Sequence, residues 1–264
     1  MNHSEDEGGI LADLTGRELA MEMPQNDSII FSDTFTSPRG NKFVITKTLE
    51  LDAYEYEKKG FESRSDVFMA NAIALAESSD TFGGTSRKAA KLSLANANTE
   101  IFGDLKDLID TLQSHQSMVE HQPIIKTGAT SNRVAEERRN VKVSAFLYAA
   151  SREDDNDFHL IVGRDPNESE KLFMTMEISG LPPESSQFFA RLQSARDAYK
   201  AFFNNNLPGL GYDFYNPPPS ITIEGSLFFD MSHATGSRPG PSKLKPFMPV
   251  VWEVHPVTGI EFES

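Results

Sequence analysis

The order of strand-like and helix-like segments between residues 140 and 263 constrains the fold of this chain more than any other feature of its sequence. Segments 140–150, 158–162 and 172–178 are rich in apolar and β-branched residues, which predicts three strands. An apolar stripe at helical spacing follows Leu181, and strand-like segments return at 221–230 and 250–262. This β-β-β-α-β-β order predicts a small barrel in which one helix joins the third and fourth strands.

The predicted order is that of an OB-like barrel. We therefore expect an α+β fold with a C-terminal five-stranded OB-like β-barrel at 133–264. The sequence preceding it predicts a weakly ordered tail at 1–27, a β-hairpin and helical region at 28–118, and a polar linker at 119–132. Three helices are predicted in that region, beginning near Ser65, Thr85 or Ser86, and Ile101.

Composition excludes several classes of function. The chain has no cysteine, which excludes disulfides, thiolate catalysis and cysteine-ligated zinc. Its net charge of −14 opposes non-specific binding to duplex nucleic acid. No run approaches the roughly 20 apolar residues that span a bilayer, and the acidic N-terminus does not resemble a signal peptide. We interpret the chain as cytoplasmic, with no membrane partner, and as coming from a bacterium or phage.

Three short pairs bring histidine and carboxylate together. Because side chains two apart on a strand share a face, Asp157 lies beside His159, and Glu253 beside His255. Another pair, Asp230 and His233, marks the end of the fourth strand, and Glu177 lies in the third. Such a set suits zinc or manganese, or a general base with its orienting group. The metal candidates are Asp157, His159, His233 and His255, and the catalytic candidates are His159, His255, Glu253 and Asp230. The alternative is that each pair is a structural hydrogen bond.

Two loops frame the ligand groove of an OB-like barrel, namely those joining strands 1–2 and 4–5. The first is acidic here, at 153–157, and the second, at 232–249, carries Arg238 and Lys243. Backbone N–H groups of the second loop and these two cations are a candidate phosphate cradle, with a flexible surface loop as the alternative. Phe229 is the candidate aromatic for stacking on a base or sugar. The predicted ligand-binding residues are therefore Arg238, Lys243 and Phe229.

Several short motifs resemble those of a family of uncharacterised bacterial proteins with an OB-like barrel. They are the Asp-aromatic-His strand at 157–159, a strand with Glu177, the Gly-led strand at 225–230 and the Glu-x-His-Pro-Val strand at 253–257. The resemblance covers about residues 138–263 and implies the fold but no activity. The strand order also resembles staphylococcal-nuclease-like domains, but their paired arginines and helical C-terminal tail are not found here.

These observations leave three hypotheses for function. The first is a non-enzymatic binding or assembly module that uses the barrel face and its loops to recognise an unidentified protein or small ligand. The second is a metal-dependent hydrolase or phosphodiesterase, for which a divalent metal would be needed, whereas the first needs no cofactor. The third is single-stranded nucleic-acid binding. Because no established catalytic motif is present, the sequence favours the first hypothesis.

Overall fold

The computed structural model describes residues 29–51, 58–61, 63–76 and 79–263, so the predicted tail at 1–27 lies outside the described residues. Its strands are β1 Ile29–Thr36, β2 Lys42–Thr48, β3 Thr99–Phe102, β4 Asn140–Arg152, β5 Phe158–Gly163, β6 Phe173–Ile178, β7 Asp213–Asn216, β8 Ser220–Phe229 and β9 Trp252–Phe262. Its helices are α1 Arg64–Ala76, α2 Lys88–Lys91, α3 Leu105–Ile109, α4 His115–Val119, α5 Phe189–Phe202 and α6 Met231–Thr235, with 3₁₀ turns at Ala135–Glu137 and Lys245–Phe247.

Five strands of the C-terminal part close into a barrel. The strand order is β4-β5-β6-β9-β8, and β8 pairs back onto β4. All neighbours are antiparallel except β6 and β9, which run parallel. Because α5 lies between β6 and β8 in the chain, the predicted α+β fold and its β-β-β-α-β-β barrel order are confirmed.

Alternation along each strand decides what fills the barrel. On β5, Phe158, Leu160 and Val162 belong to the main hydrophobic core, together with Met174 and Met176 of β6. The intervening side chains point outward, as the two-residue period of a strand requires. The stacking of α5 on the barrel follows the apolar stripe predicted for it, with the rings of Phe202 and Phe262 3.7 Å apart.

The sheet continues beyond the barrel. β1 and β2 form the predicted hairpin around a turn in which Gly40 has a φ of +87°, and β2 pairs with β7. β3 pairs in parallel with β4, so the helix predicted from Ile101 is wrong at its start: residues 99–102 are extended, and only 105–109 are helical. Long-range pairing with β4 outweighs the local helical spacing of the apolar residues.

Along β5, β6 and the first half of β9, both the inner and the outer face of the barrel are buried. Every residue of β5 and β6 is buried. Residues 79–97, the first cover segment, attach to this side of the barrel through a bridge between Thr81 and Leu181 and a hydrogen bond from Gly83 N to Asp155 O (2.9 Å). Residues 230–250, the second cover segment, pack Met248 against Ile161 on the outer side of β5. Among the described helices, none is long and apolar enough to cross a membrane.

Candidate metal centre

The strand period brings the predicted histidines and carboxylates to one patch of the outer face. In the β5–β6 ladder His159 lies opposite Glu177, and in the β6–β9 ladder Thr175 lies opposite Glu253. Neighbours on one face of a sheet approach closely enough for their side chains to interact. We call the following residues the polar cluster: Lys91, Glu153, Asp155, Asp157, His159, Glu177, Asp230, His233, Glu253 and His255.

Glu177 lies at the centre of the polar cluster. One carboxylate oxygen, Oε1, is 3.1 Å from His159 Nδ1, and the other, Oε2, is 2.6 Å from His255 Nδ1. Glu153 Oε1 approaches the same His159 nitrogen at 2.9 Å, and Asp157 Oδ2 is 3.2 Å from His255 Nε2. Glu177 therefore joins two imidazoles that each have a further carboxylate.

Lys91 brings a positive charge into the cluster from the first cover segment. Its Nζ is 2.9 Å from Asp155, 3.6 Å from Asp157 and 3.8 Å from Glu177. The segment is held in place beside it, since Ser179 Oγ donates a hydrogen bond to Lys91 O at 3.3 Å. Among the described lysines and arginines, Lys91 alone lies within ion-pair distance of the cluster's carboxylates. Nothing in the sequence distinguished it from other lysines on helical surfaces.

A third group forms where β8 runs into α6. Asp230 caps α6 by accepting a hydrogen bond from Ser232 N at 2.7 Å, and its other oxygen pairs with His233 Nδ1. Glu253 of β9 lies beside this pair, and its Oε2 is 3.5 Å from His255 Nδ1. The second cover segment thus contributes two side chains to a cluster that is otherwise built largely on the barrel.

Burial and mutual charge shift the protonation of these groups. Burial raises the pKa of Glu253 to about 8, with the Glu177 charge adding to the effect, and burial beside Asp155 raises the pKa of Asp157 to about 6. Burial alone would lower the pKa of His159, but the Glu153 and Glu177 carboxylates outweigh it and hold that pKa well above its usual value. Burial would likewise raise the pKa of Glu177, yet His255 and Lys91 hold it well below the usual range.

The side chains of the cluster that lie on the barrel face are almost completely shielded from solvent. Asp157, His159 and His255 are 0% exposed, Glu253 1% and Glu177 2%. Several of their polar atoms have no hydrogen-bond partner, including His159 Nε2, both Glu253 oxygens and both ring nitrogens of His255. Buried polar atoms are nearly always hydrogen-bonded, so atoms left without a partner need a physical explanation.

Three sets of cluster atoms have the spacing of metal ligands. They are Glu153–His159–Glu177, Asp157–Glu177–His255 and Asp230–His233–Glu253, and within each set one ligand atom from every residue lies within 4.8 Å of the others. Two donors on one zinc or similar ion lie at most about 4.4 Å apart, because each binds at roughly 2.0–2.2 Å. Side-chain movements would bring the donors of each set closer together for coordination.

The structure brings together the metal and catalytic candidates, whose convergence the sequence left open. Asp157, His159, Asp230, His233, Glu253 and His255 all belong to the polar cluster. Phe229 is not at the surface: its side chain is buried inside the barrel and points away from the cluster, so we withdraw it as a ligand-binding residue. Its neighbour Phe228 points outward but is also buried, packed under the guanidinium of Arg87 at 4.6 Å.

The predicted cations of the second loop make none of the ion pairs found among the described residues of the cluster. Arg238 is exposed and Lys243 half-buried, and neither forms an ion pair with another residue in the described part of the chain. They stay predictions for an anion-binding role. Comparison of the chain with protein-family models, with curated proteins and with solved structures finds no match. The resemblance noted from the sequence therefore also stays a prediction, and the chemistry of the site is inferred from its own residues.

Proposed function

We propose that this chain is a divalent-metal-dependent protein and that the polar cluster binds its metal, with hydrolysis as the chemistry. The observation that carries the proposal is the burial of three imidazoles among six carboxylates, with His159 Nε2, both Glu253 oxygens and both His255 ring nitrogens unpartnered. Isolated charges are too costly to bury without compensation. A bound cation compensates the carboxylates and uses the lone pairs of the imidazoles at the same time.

The arrangement around Glu177 supports a ligand role over a purely structural one. Glu177 Oε2 and His255 Nδ1 are 2.6 Å apart, yet both lack a hydrogen bond because their geometry is misaligned. A structural pair would align a donor with an acceptor. Atoms that crowd together without such alignment are arranged as ligands around a shared centre. Carboxylate and imidazole donors without thiolates suit zinc or manganese.

The position of the cluster on the barrel also supports a binding role. We propose that the barrel is OB-like, because its five strands follow that order and its third and fifth strands pair in parallel. The face formed by the second and third strands, with the loops joining strands 1–2 and 4–5, is where OB folds bind ligands. Here that face carries the cluster, and those two loops contribute Glu153, Asp157 and His233 to it.

A hydrolytic reaction needs a metal-bound water and a group to take its proton. A divalent ion at Asp157, Glu177 and His255 would lower the pKa of a bound water towards neutrality. Glu153, which is half-buried and at the edge of the cluster, is a candidate proton acceptor on the side of the acidic turn. A substrate reaches this point only when a cover segment moves, because the side chains on the barrel face are enclosed.

Metal binding is tested on full-length protein that has been stripped with a chelator. We expect zinc or manganese to bind and to raise the melting temperature, because a ligand present at 100 times its Kd stabilises the folded state by about 2.7 kcal/mol, or roughly 5–10 °C. Glu177→Gln should reduce that shift and keep the fold, since the amide has the same shape. The control is Glu261→Gln, a 78% exposed glutamate on β9. No binding of either metal to the wild type would refute the proposal.

Enclosure of the cluster favours a second candidate, a non-enzymatic binding or assembly module stabilised by a structural metal. Structural metal sites are closed, whereas catalytic sites keep an open position. The two candidates differ in turnover. We expect the metal-loaded wild type to hydrolyse bis(p-nitrophenyl) phosphate or a simple p-nitrophenyl ester, and Glu153→Gln to lose the activity while retaining the metal. Metal binding without turnover of either substrate would favour the module. Single-stranded nucleic-acid binding loses its predicted stacking residue, because Phe229 is buried.

A further inference from the structure

The group at the start of the second cover segment is a separate part of the cluster. Asp230 and His233 come from the turn between β8 and α6, and Glu253 comes from β9. This set shares no residue with the two sets built around Glu177. Its link to them is the 3.5 Å approach of Glu253 Oε2 to His255 Nδ1, which is too long for a strong hydrogen bond. We propose that these three residues bind a second divalent cation beside the first.

The charge of the cluster supports two cations rather than one. Six carboxylates, those of Glu153, Asp155, Asp157, Glu177, Asp230 and Glu253, face the one ammonium group of Lys91. Imidazoles that bind a metal are neutral, so the three histidines do not offset these charges when they act as ligands. One divalent ion would leave three negative charges in an enclosed site, whereas two leave one.

Glu253 supplies the second observation. It is 1% exposed, and both of its oxygens lack a hydrogen-bond partner. Lys91, the nearest compensating cation, makes its ion pairs with Asp155, Asp157 and Glu177 and not with Glu253. A carboxylate buried among others, with the His255 imidazole at 3.5 Å as its charged neighbour, is explained if a metal ion binds it. Two carboxylates and one imidazole suit manganese or zinc.

The second cation would connect the second cover segment to the barrel. Asp230 and His233 belong to the segment that covers β5, whereas Glu253 lies in the barrel wall. An ion bound by all three therefore cross-links cover and barrel, and its loss would release the cover. This inference rests on the proposed metal-binding function, but it concerns a different set of ligands.

The stoichiometry of metal binding tests the second site. Asp230→Asn removes a charged ligand but keeps an N-cap side chain, because asparagine caps helices as well as aspartate does. The matched control is Asp104→Asn, which changes the N-cap of α3 far from the cluster ligands. We expect chelator-stripped wild type and Asp104→Asn to bind two equivalents of Mn²⁺ in calorimetry and elemental analysis, and Asp230→Asn to bind one.

A second measurement follows the cover directly. Arg238 and Lys245 each precede proline, where trypsin does not cut, so the half-buried Lys243 is the cleavable position in this segment. Mn²⁺ should slow cleavage after Lys243 at least tenfold in wild type and Asp104→Asn, but not in Asp230→Asn. One equivalent in the wild type, or two in Asp230→Asn, would overturn the second site and leave the first intact. Zero equivalents in the wild type would refute both sites.

Discussion

A buried ion pair holds the first cover segment against the barrel, and its removal has a predictable cost. Arg87 donates to both carboxylate oxygens of Glu137, at 2.6 and 2.7 Å, and the two side chains are 1% and 0% exposed. The same carboxylate accepts hydrogen bonds from Val134 N and Phe229 N. Arg87 directly precedes α2, so this pair positions the helix that carries Lys91.

Replacing Glu137 with Gln should be strongly destabilising. The amide keeps the shape but directs an NH₂ group at Arg87, leaving its buried guanidinium without a negative partner. Arg133, also buried, has no carboxylate of its own: its amino groups donate to backbone carbonyls, including His255 O at 2.5 Å. Breaking a buried pair by removing one partner costs about 3–5 kcal/mol. In melting temperature this corresponds to a fall on the order of 10 °C.

The chain provides a matched control for this prediction. Glu100 and Arg139 form the same two-pronged pair, at 2.8 and 2.6 Å, but their side chains are 43% and 24% exposed. Glu100→Gln should therefore cost less than about 1 kcal/mol. Urea unfolding of the two variants and the wild type, with m-values compared, gives both free energies. Equal losses in the two variants would show that burial does not govern the strength of these pairs, and our reasoning would be wrong.

Three further predictions concern the cover and its attachment. Asp80 pairs with Arg196 at 2.8 Å and Lys200 at 2.5 Å; burial alone would raise its pKa, but these hydrogen bonds hold it below the usual value. Asp80→Asn should cost about 1 kcal/mol at pH 7. Because the folded-state pKa of Asp80 is lowered, its stabilisation is present above about pH 4 and is lost as the pH falls further. The unfolding free energies of the wild type and Asp80→Asn should therefore converge in acid. A constant difference between the unfolding free energies of the wild type and Asp80→Asn down to pH 2 would contradict this prediction. In Gly180→Ala, the new Cβ would lie 2.7 Å from Phe82 Cα, which should cost roughly 1–3 kcal/mol, whereas Gly103→Ala, with open space around it, should be nearly neutral in the same thermal scans. Lys91→Met should not lower the affinity of the stripped protein for Mn²⁺, because Lys91 places a like charge beside the cation and supplies no ligand atom; a complete loss in calorimetry would show that it is needed to position the ligands.

The order of the barrel strands follows from local patterns. The alternation of apolar residues along 140–150 and the turn residues between the strands predict each element where it is found, because a strand that lines a core repeats every two residues. The pairing of Asp157 with His159 and of Glu253 with His255 follows from the same period. The sequence also predicted that the loops at 153–157 and 232–249 would approach one site, because both lie at fixed places in the strand order.

Other features are decided by contacts between residues far apart in the chain. Leu227, Phe228 and Phe229 form a continuous apolar run, and because both faces of β8 are buried there, the sequence does not reveal which ring points inward. Ile101 begins a run of apolar residues at helical spacing, but residues 99–102 form β3 because they pair with β4.

The sequence by itself determined the barrel order and the residue types available for a site, since both depend on neighbours a few positions apart. Only the tertiary structure decided that the site is enclosed. Burial of His159 and Glu177 depends on cover segments that come from residues 79–97 and 230–250. The same folding brings Lys91 to Asp155 across 64 residues of sequence. These long-range contacts turn a row of polar side chains on a strand into a buried cluster, and its unpartnered atoms are the reason for proposing metal binding.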